Sequence, residues 1–166
     1  MACVESEMIF APFGPYSFVS PGIAVGGLLS YGEPLDQFGL LLNVAWELAP
    51  TESNELSDSV IGSNTVEHCK LDDNDDVETQ VPEILRAVEL VRVVRAQNKA
   101  VLVTCAAGRN RSALVVAEYL IQSAPTETEA AKRAHLNAER VIDQIQARRH
   151  GALTNRAFVK WLRRDR

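Results

Sequence analysis

A chain of 166 residues, 46% hydrophobic and 23% charged, has the composition of one soluble globular domain, expected over residues 1–166. That balance excludes collagen-like, coiled-coil and wholly disordered chains, and no run of ~18 apolar residues offers a membrane span. The net charge of −5 hides an asymmetry: residues 1–85 hold fifteen acids against one base, Lys70, while residues 86–166 hold sixteen bases against seven acids. An acidic chain argues against a general nucleic-acid binder, yet the basic back half leaves room for a local anion site. The two halves are compatible with head-to-tail association without specifying an oligomeric state.

The N-terminal stretch MACVESEMIF carries Glu5 and Glu7 and no base before its apolar part, unlike a secretory signal. Phe18 to Gly26 (FVSPGIAVG) reads as extended, with Pro21-Gly22 turning the chain before Ile23-Ala24-Val25. Leu40 to Ala45 (LLLNVA) is a short continuous apolar run, the pattern of a buried strand. The polar stretch Pro50 to Ser63 predicts a loop, and Val66 to Leu71 a strand entering the acid cluster Asp72-Asp73-Asn74-Asp75-Asp76. From Glu78 to Gln97, Val81, Ile84, Leu85, Val88, Leu90, Val91 and Val94 recur at helical spacing.

Ala100 to Thr104 (AVLVT) predicts a strand ending at Cys105, followed by the turn Ala106-Ala107-Gly108-Arg109-Asn110-Arg111 and a helix from Ser112 that carries Leu114 to Ile121. Thr126-x-x-Glu129 fits a capping box for a third helix. The chain then stays helical to a break at Gly151, with a last helix over Thr154 to Leu162. This order predicts an α/β fold with a central sheet, helices packed against it and a helical C-terminal end.

The chemistry concentrates in TCAAGRNRS, Thr104 to Ser112. A turn between a buried strand and a helix start can aim successive N–H groups inward as a nest for an oxyanion, and the helix adds its N-terminal dipole. Small residues at Ala106, Ala107 and Gly108 let the backbone approach a phosphate. Arg109 and Asn110 belong to the same wrap around the anion, and Arg111 offers a planar fork to two of its oxygens. The same positive field favours Cys105 as thiolate, the nucleophilic form. A thiolate inside a phosphate cradle suits phosphoryl transfer through a cysteinyl-phosphate. Ser112 either donates a hydrogen bond to the sulfur or serves as a helix N-cap.

Cys105-x5-Arg111 followed by Ser112 resembles the phosphate-binding loop of the cysteine-based protein tyrosine phosphatase superfamily, and most of all its dual-specificity branch. VSPGIAVG, FGLLLNVAWE, Leu71-Asp72-Asp73-Asn74 and ARRHGALTNRAFVKWL resemble that branch's early strand pair, buried strand, acid loop and C-terminal end. The resemblance covers about residues 18–164, the expected core of the domain, and implies an α/β fold with a mixed sheet of about five strands flanked by helices. It also implies a dual-specificity protein phosphatase, acting on phosphotyrosine and phosphoserine/threonine of a protein or peptide, with no metal or other cofactor. In the family an Asp upstream of the cysteine protonates the leaving group. Asp73, 32 residues before Cys105, is preferred over Asp72, and Asp75 is the outsider. Crowding by Asp72, Asp75 and Asp76 is expected to ease its protonation. The chain departs from the family at Thr104, where a histidine usually precedes the nucleophile.

Other readings stay open. GRNRS resembles RNA 5′-phosphatases of the same fold, which makes a nucleic-acid or nucleotide substrate the enzymatic alternative. Thr104 motivates a phosphate-binding pseudophosphatase module, and rhodanese-type loops a sulfurtransferase. Cys3, Cys69 and Cys105 form neither a disulfide framework nor a zinc pair, and a cytoplasmic location is expected. The run Asp72 to Asp76 lacks the Gly and distal Glu of a calcium loop. Cys3, Cys69, Trp46 and Trp161 are expected in the core, and His68, His135 and His150 in structural or surface positions. Arg148-Arg149 and Arg163-Arg164-Arg166 are expected to form charged surface.

Overall fold

The computed structural model of the protein describes residues 14–45, 47, 65–124 and 130–164. Cys3, Trp46, the loop expected over Pro50 to Ser63, the capping box at Thr126 and Arg166 lie outside them. Two extended segments, β1 (Tyr16–Ser20) and β2 (Ile23–Gly26), are joined at Pro21-Gly22 and followed by a 3₁₀ turn at Leu28–Gly32. Then come β3 (Phe38–Ala45), β4 (Thr65–Leu71), a second 3₁₀ turn at Glu78–Gln80, α1 (Val81–Ala96) and β5 (Ala100–Thr104). Three helices complete the chain: α2 (Arg111–Gln122), α3 (Ala130–Arg148) and α4 (Arg156–Leu162).

The five strands form one sheet in the order β1-β2-β5-β3-β4. The apolar β5 lies in its middle, parallel to β2 on one side and to β3 on the other, and β3 is parallel to β4. β1 runs antiparallel to β2, which makes the sheet mixed. Register decides what meets at its end: Gly26, Thr104 and Asn43 are level with one another, as are Ala45 and Leu71. The carboxyl ends of four strands therefore finish on one edge, where open α/β sheets place their ligands.

Both faces of β5 are covered, as its continuous apolar pattern demands. Val101 and Val103 join Ile23, Val25, Leu40 and Leu42 in the main core, which the helices cover. Ala24, Leu41 and Leu102 face the other way, against Leu35, Phe38 and the partly buried Tyr16 and Tyr31. On α1 the buried face is Ile84, Ala87, Val88 and Val91. Leu85, expected on that face, is 43% exposed, because Ala87 takes the inward position beside Val88. Trp161 is in the core as expected. No helix among the described residues is long and apolar enough to cross a membrane.

α2 packs against α1, α3, α4 and the sheet, and every residue from Arg111 to Glu118 is buried. Glu118 is fully buried, with a carboxylate that accepts from Arg164 at 2.9 Å and 3.3 Å and from Gln122 Nε2 at 2.6 Å. The Arg164 guanidinium also stacks 3.4 Å over the Trp161 ring. Arg164 is thus a tie between α2 and the end of α4, not the charged surface its neighbours in sequence suggested. Removing one partner of a buried pair leaves the other charge uncompensated. Arg164→Ala is expected to lower the unfolding free energy by about 2 kcal/mol in urea titrations, and Arg164→Lys by clearly less.

Candidate active site

Cys105 follows the last residue of β5, and its N–H donates to Gly26 O at 3.2 Å across the sheet's end. The loop from Ala106 to Asn110 then has every carbonyl bonded to a donor outside it. Leu28 N bonds Ala106 O at 3.0 Å, Leu153 N bonds Arg109 O at 2.9 Å, and Leu114 N bonds Asn110 O at 2.8 Å. Ala107 O and Gly108 O accept from the guanidinium of Arg149, at 3.4 Å and 2.5 Å. Among the described residues, the N–H groups of Ala106 to Asn110 have no acceptor. With the carbonyls of Ala106 to Asn110 bonded outward, the N–H groups of the same planar peptides, those of Ala107 to Arg111, are turned the opposite way, as in an anion nest.

Gly108 makes this wrap possible. Its φ is +65°, and a Cβ there would stand 2.4 Å from the Gly26 carbonyl carbon. A side chain would be strained at that φ and would collide with backbone that cannot yield. Thus β2 and the loop touch directly, backbone on backbone.

The sulfur of Cys105 is buried and lies 3.2 Å from Ser112 Oγ. Ser112 is inside α2; the N-cap position belongs to Asn110, whose side chain makes no cap bond. The N-cap alternative for Ser112 is therefore overturned, since α2 starts at Arg111. Asn110 instead ties three segments together. Its Oδ1 accepts from Thr154 N at 2.9 Å and Asn155 N at 3.0 Å, and its Nδ2 donates to Asp73 Oδ2 at 3.0 Å.

Asp73 is held at the rim from both sides, because Asn155 Nδ2 donates to its other oxygen at 2.8 Å. Asp72 lines a cleft of about 510 Å³ together with His68, Cys69, Gln80 and Arg86, on the side of β4 and α1. Asp75 and Asp76 line another cleft, against Trp161 and Arg164 of the C-terminal segment. Gln80, which sequence reasoning passed over, orders this acid loop. Its Oε1 accepts from Asp72 N at 2.7 Å, while its Nε2 donates to Asn74 Oδ1 at 3.0 Å and Asp76 O at 2.8 Å.

Arg111 is 7% exposed. Its Nη1 reaches the Glu47 carboxylate at 2.6 Å and 2.7 Å and Leu71 O at 3.2 Å, while its buried Nε has no partner among the described residues. Glu47, just past the end of β3, carried no motif that singled it out. Arg109 is exposed at the rim.

Arg149, expected on the surface beside Arg148, is 8% exposed and lies under the loop. Besides the two loop carbonyls it bonds Ser17 Oγ at 3.2 Å and Pro15 O at 3.4 Å. Burial lowers its pKa; the nearby Cys105 opposes that shift and Arg109 adds to it. Thr104 is buried, and its Oγ1 lies 2.8 Å from the hydroxyl of Tyr31, whose pKa burial raises and this bond lowers. Among the described residues, no group of His, Cys, Asp and Glu side chains is placed to hold a metal ion.

Residues 35–165 match the family described as dual specificity phosphatase, catalytic domain. No curated protein matches the sequence at a significant level. Among solved structures, human DUSP28 aligns with a TM-score of 0.68 at 18% identity, over 89% of this chain and 90% of its own. OH1 from the Orf virus, described as a tyrosine phosphatase with triple substrate specificity, gives 0.64 at 20% identity, over 89% and 83%. The human tyrosine phosphatase-like serine/threonine/tyrosine-interacting protein gives 0.64 at 18%, over 89% and 92%. At such identities the likeness concerns the fold.

Two outcomes are expected from this geometry. Arg149→Met strips the donors from Ala107 O and Gly108 O and should lower the unfolding free energy by about 2 kcal/mol in urea. Arg149→Lys, with one compact ammonium for several acceptors, should recover only part of that. Burial pushes the Cys69 thiol up to about 11, so at neutral pH it stays protonated. Peptide mapping after iodoacetamide treatment of the folded protein should find Cys69 unmodified.

Proposed function

Because the chain belongs to the dual-specificity phosphatase catalytic-domain family, we propose that it hydrolyses phosphate monoesters of phosphoproteins through a cysteinyl-phosphate. The observation that carries this reading is the loop of outward-bonded carbonyls that surrounds Cys105. In the first step the Cys105 thiolate attacks phosphorus, while the N–H groups of Ala106 to Arg111 and the Arg111 guanidinium hold the equatorial oxygens. Glu47 keeps that guanidinium in place from behind. The ester P–O bond breaks, and Asp73 gives its proton to the departing oxygen.

In the second step Asp73 takes a proton from water, the resulting hydroxide attacks phosphorus, and the S–P bond breaks. Ser112, 3.2 Å from the sulfur, donates to the thiolate as it leaves. The loop amides and Arg111 supply the charge stabilisation, so the mechanism calls for no metal or organic cofactor. Substrates are phosphotyrosine and phosphoserine/threonine side chains, since no tyrosine-rich segment deepens the pocket and the loop lacks the lysine pair of inositol-lipid phosphatases.

The Thr104–Tyr31 pair favours a second reading, a phosphate-binding module with little turnover, because the bond stands where the family's histidine usually does. Hydrolysis of para-nitrophenyl phosphate with EDTA present separates the two. Wild type is expected to turn over, Cys105→Ser to be inactive, and Asp73→Ala to lose about 100-fold in kcat with the basic limb of its pH profile flattened. An inert wild type would transfer the assignment to the binding module. An Asp73→Ala variant as fast as wild type would move the acid role elsewhere.

A further inference from the structure

Two arginines among the described residues are buried, Arg111 and Arg149. Arg111 has the Glu47 carboxylate at 2.6 Å. Arg149 pairs with no carboxylate among the described residues. Its guanidinium donates instead to Gly108 O at 2.5 Å, to Ser17 Oγ at 3.2 Å, and to Ala107 O and Pro15 O at 3.4 Å. A charge taken out of water without an opposite charge is costly. Resting on the reading of the loop as a phosphate cradle, we infer that Arg149 is a positioning residue of that cradle, and that its missing counter-charge is the anion held by the same peptides on their other side.

The charge reaches the anion through two peptide groups. Each unit is planar, so Ala107 O belongs to the unit that carries Gly108 N–H, and Gly108 O to the unit that carries Arg109 N–H. A cation on the carbonyl side fixes each unit and polarises it, which strengthens the opposite N–H as a donor. The other three loop carbonyls are held by neutral backbone groups, Ala106 O by Leu28 N, Arg109 O by Leu153 N and Asn110 O by Leu114 N. Arg149 therefore acts on two consecutive amides, those on either side of the left-handed turn that Gly108 makes at φ +65°.

The guanidinium is itself held in place. Ser17 Oγ and Pro15 O take its remaining donors at and just before β1, and its backbone N–H closes the end of α3 on Ile145 O at 2.7 Å. Burial lowers the pKa of Arg149 and negative charge at Cys105 raises it, so the guanidinium and the sulfur are electrostatically linked.

Titration of the Cys105→Ser protein with inorganic phosphate, followed by amide nuclear magnetic resonance, reads the loop amides one by one. Saturating phosphate should move the amide protons of Ala107 to Arg111 downfield. Adding Arg149→Met should remove most of that shift at Gly108 and Arg109, keep it at Ala107, Asn110 and Arg111, and weaken phosphate binding about tenfold. Arg149→Lys, whose compact ammonium serves the two carbonyls less well, should recover part of both, and it decides the matter alone if Arg149→Met does not fold. Arg164→Ala, destabilised to a similar degree, should leave the affinity and the shifts unchanged. Unchanged affinity in the Arg149 variants, a loss spread evenly over the loop amides, or an equal loss in Arg164→Ala would overturn the role. Wild-type hydrolysis of para-nitrophenyl phosphate reads the phosphatase assignment separately. An active enzyme with unmoved amides refutes the positioning role alone; an inert one whose amides follow the expected pattern supports the role and refutes the hydrolase; a parent that binds no phosphate overturns cradle and role together.

Discussion

The site depends on the carbonyls of five consecutive peptides being bonded away from its centre. A peptide whose C=O is fixed on one side has its N–H fixed on the other, since the unit is planar. Donors from Leu28, Arg149, Leu153 and Leu114 hold the carbonyls of Ala106 to Asn110, so the inward dipoles are in place before any anion arrives. In the proposed hydrolysis such preorganisation is what makes the loop effective, because dipoles already in place need no reorganisation during the reaction. The donors come from the turn after β2, from the start of α2 and from the connection between α3 and α4.

That connection does more than close the back of the fold. Arg149 holds two loop carbonyls, Leu153 a third, and Thr154 and Asn155 bind the side chain of Asn110. Leu153 adopts a positive φ of 56° to do so, a conformation that costs a branched side chain energy and persists where the surroundings over-determine it. Asn155 then spans both jobs. Its Oδ1 caps α4 by accepting from Ala157 N at 2.9 Å, while its Nδ2 holds Asp73. The same short segment positions the cradle and the carboxylate above it, so a displacement of one moves the other.

Much of the architecture was legible locally. The apolar run of β5, the small residues after it, the Cys105–Arg111 spacing and the break at Gly151 each depend on a few adjacent residues, and the structure places elements and turns there. Sequence reasoning failed where burial decides the role of a polar side chain. Arg149 and Arg164 sit in basic clusters that read as solvated surface; the fold buries one under the loop and sets the other against Glu118. Ser112 looked like a possible cap, because the helix start was placed one residue late. Leu85 fitted the helical period of α1, yet Ala87 occupies the buried position, since periodicity marks a stripe but not its edges.

By itself the sequence determined the order of strands and helices, the Cys105–Arg111 spacing and the chemical character of the loop, because these follow from neighbours a few residues apart. The family resemblance pointed to an acid in the run Asp72 to Asp76, with Asp73 preferred over Asp72. Only the tertiary structure joined the Asp73 carboxylate to Asn110 and Asn155, and only it joined Glu47 to Arg111. The reason lies in the sheet. Four parallel strands end on one edge, so Gly26, Ala45, Leu71 and Thr104, far apart along the chain, become neighbours by register, which no local pattern encodes.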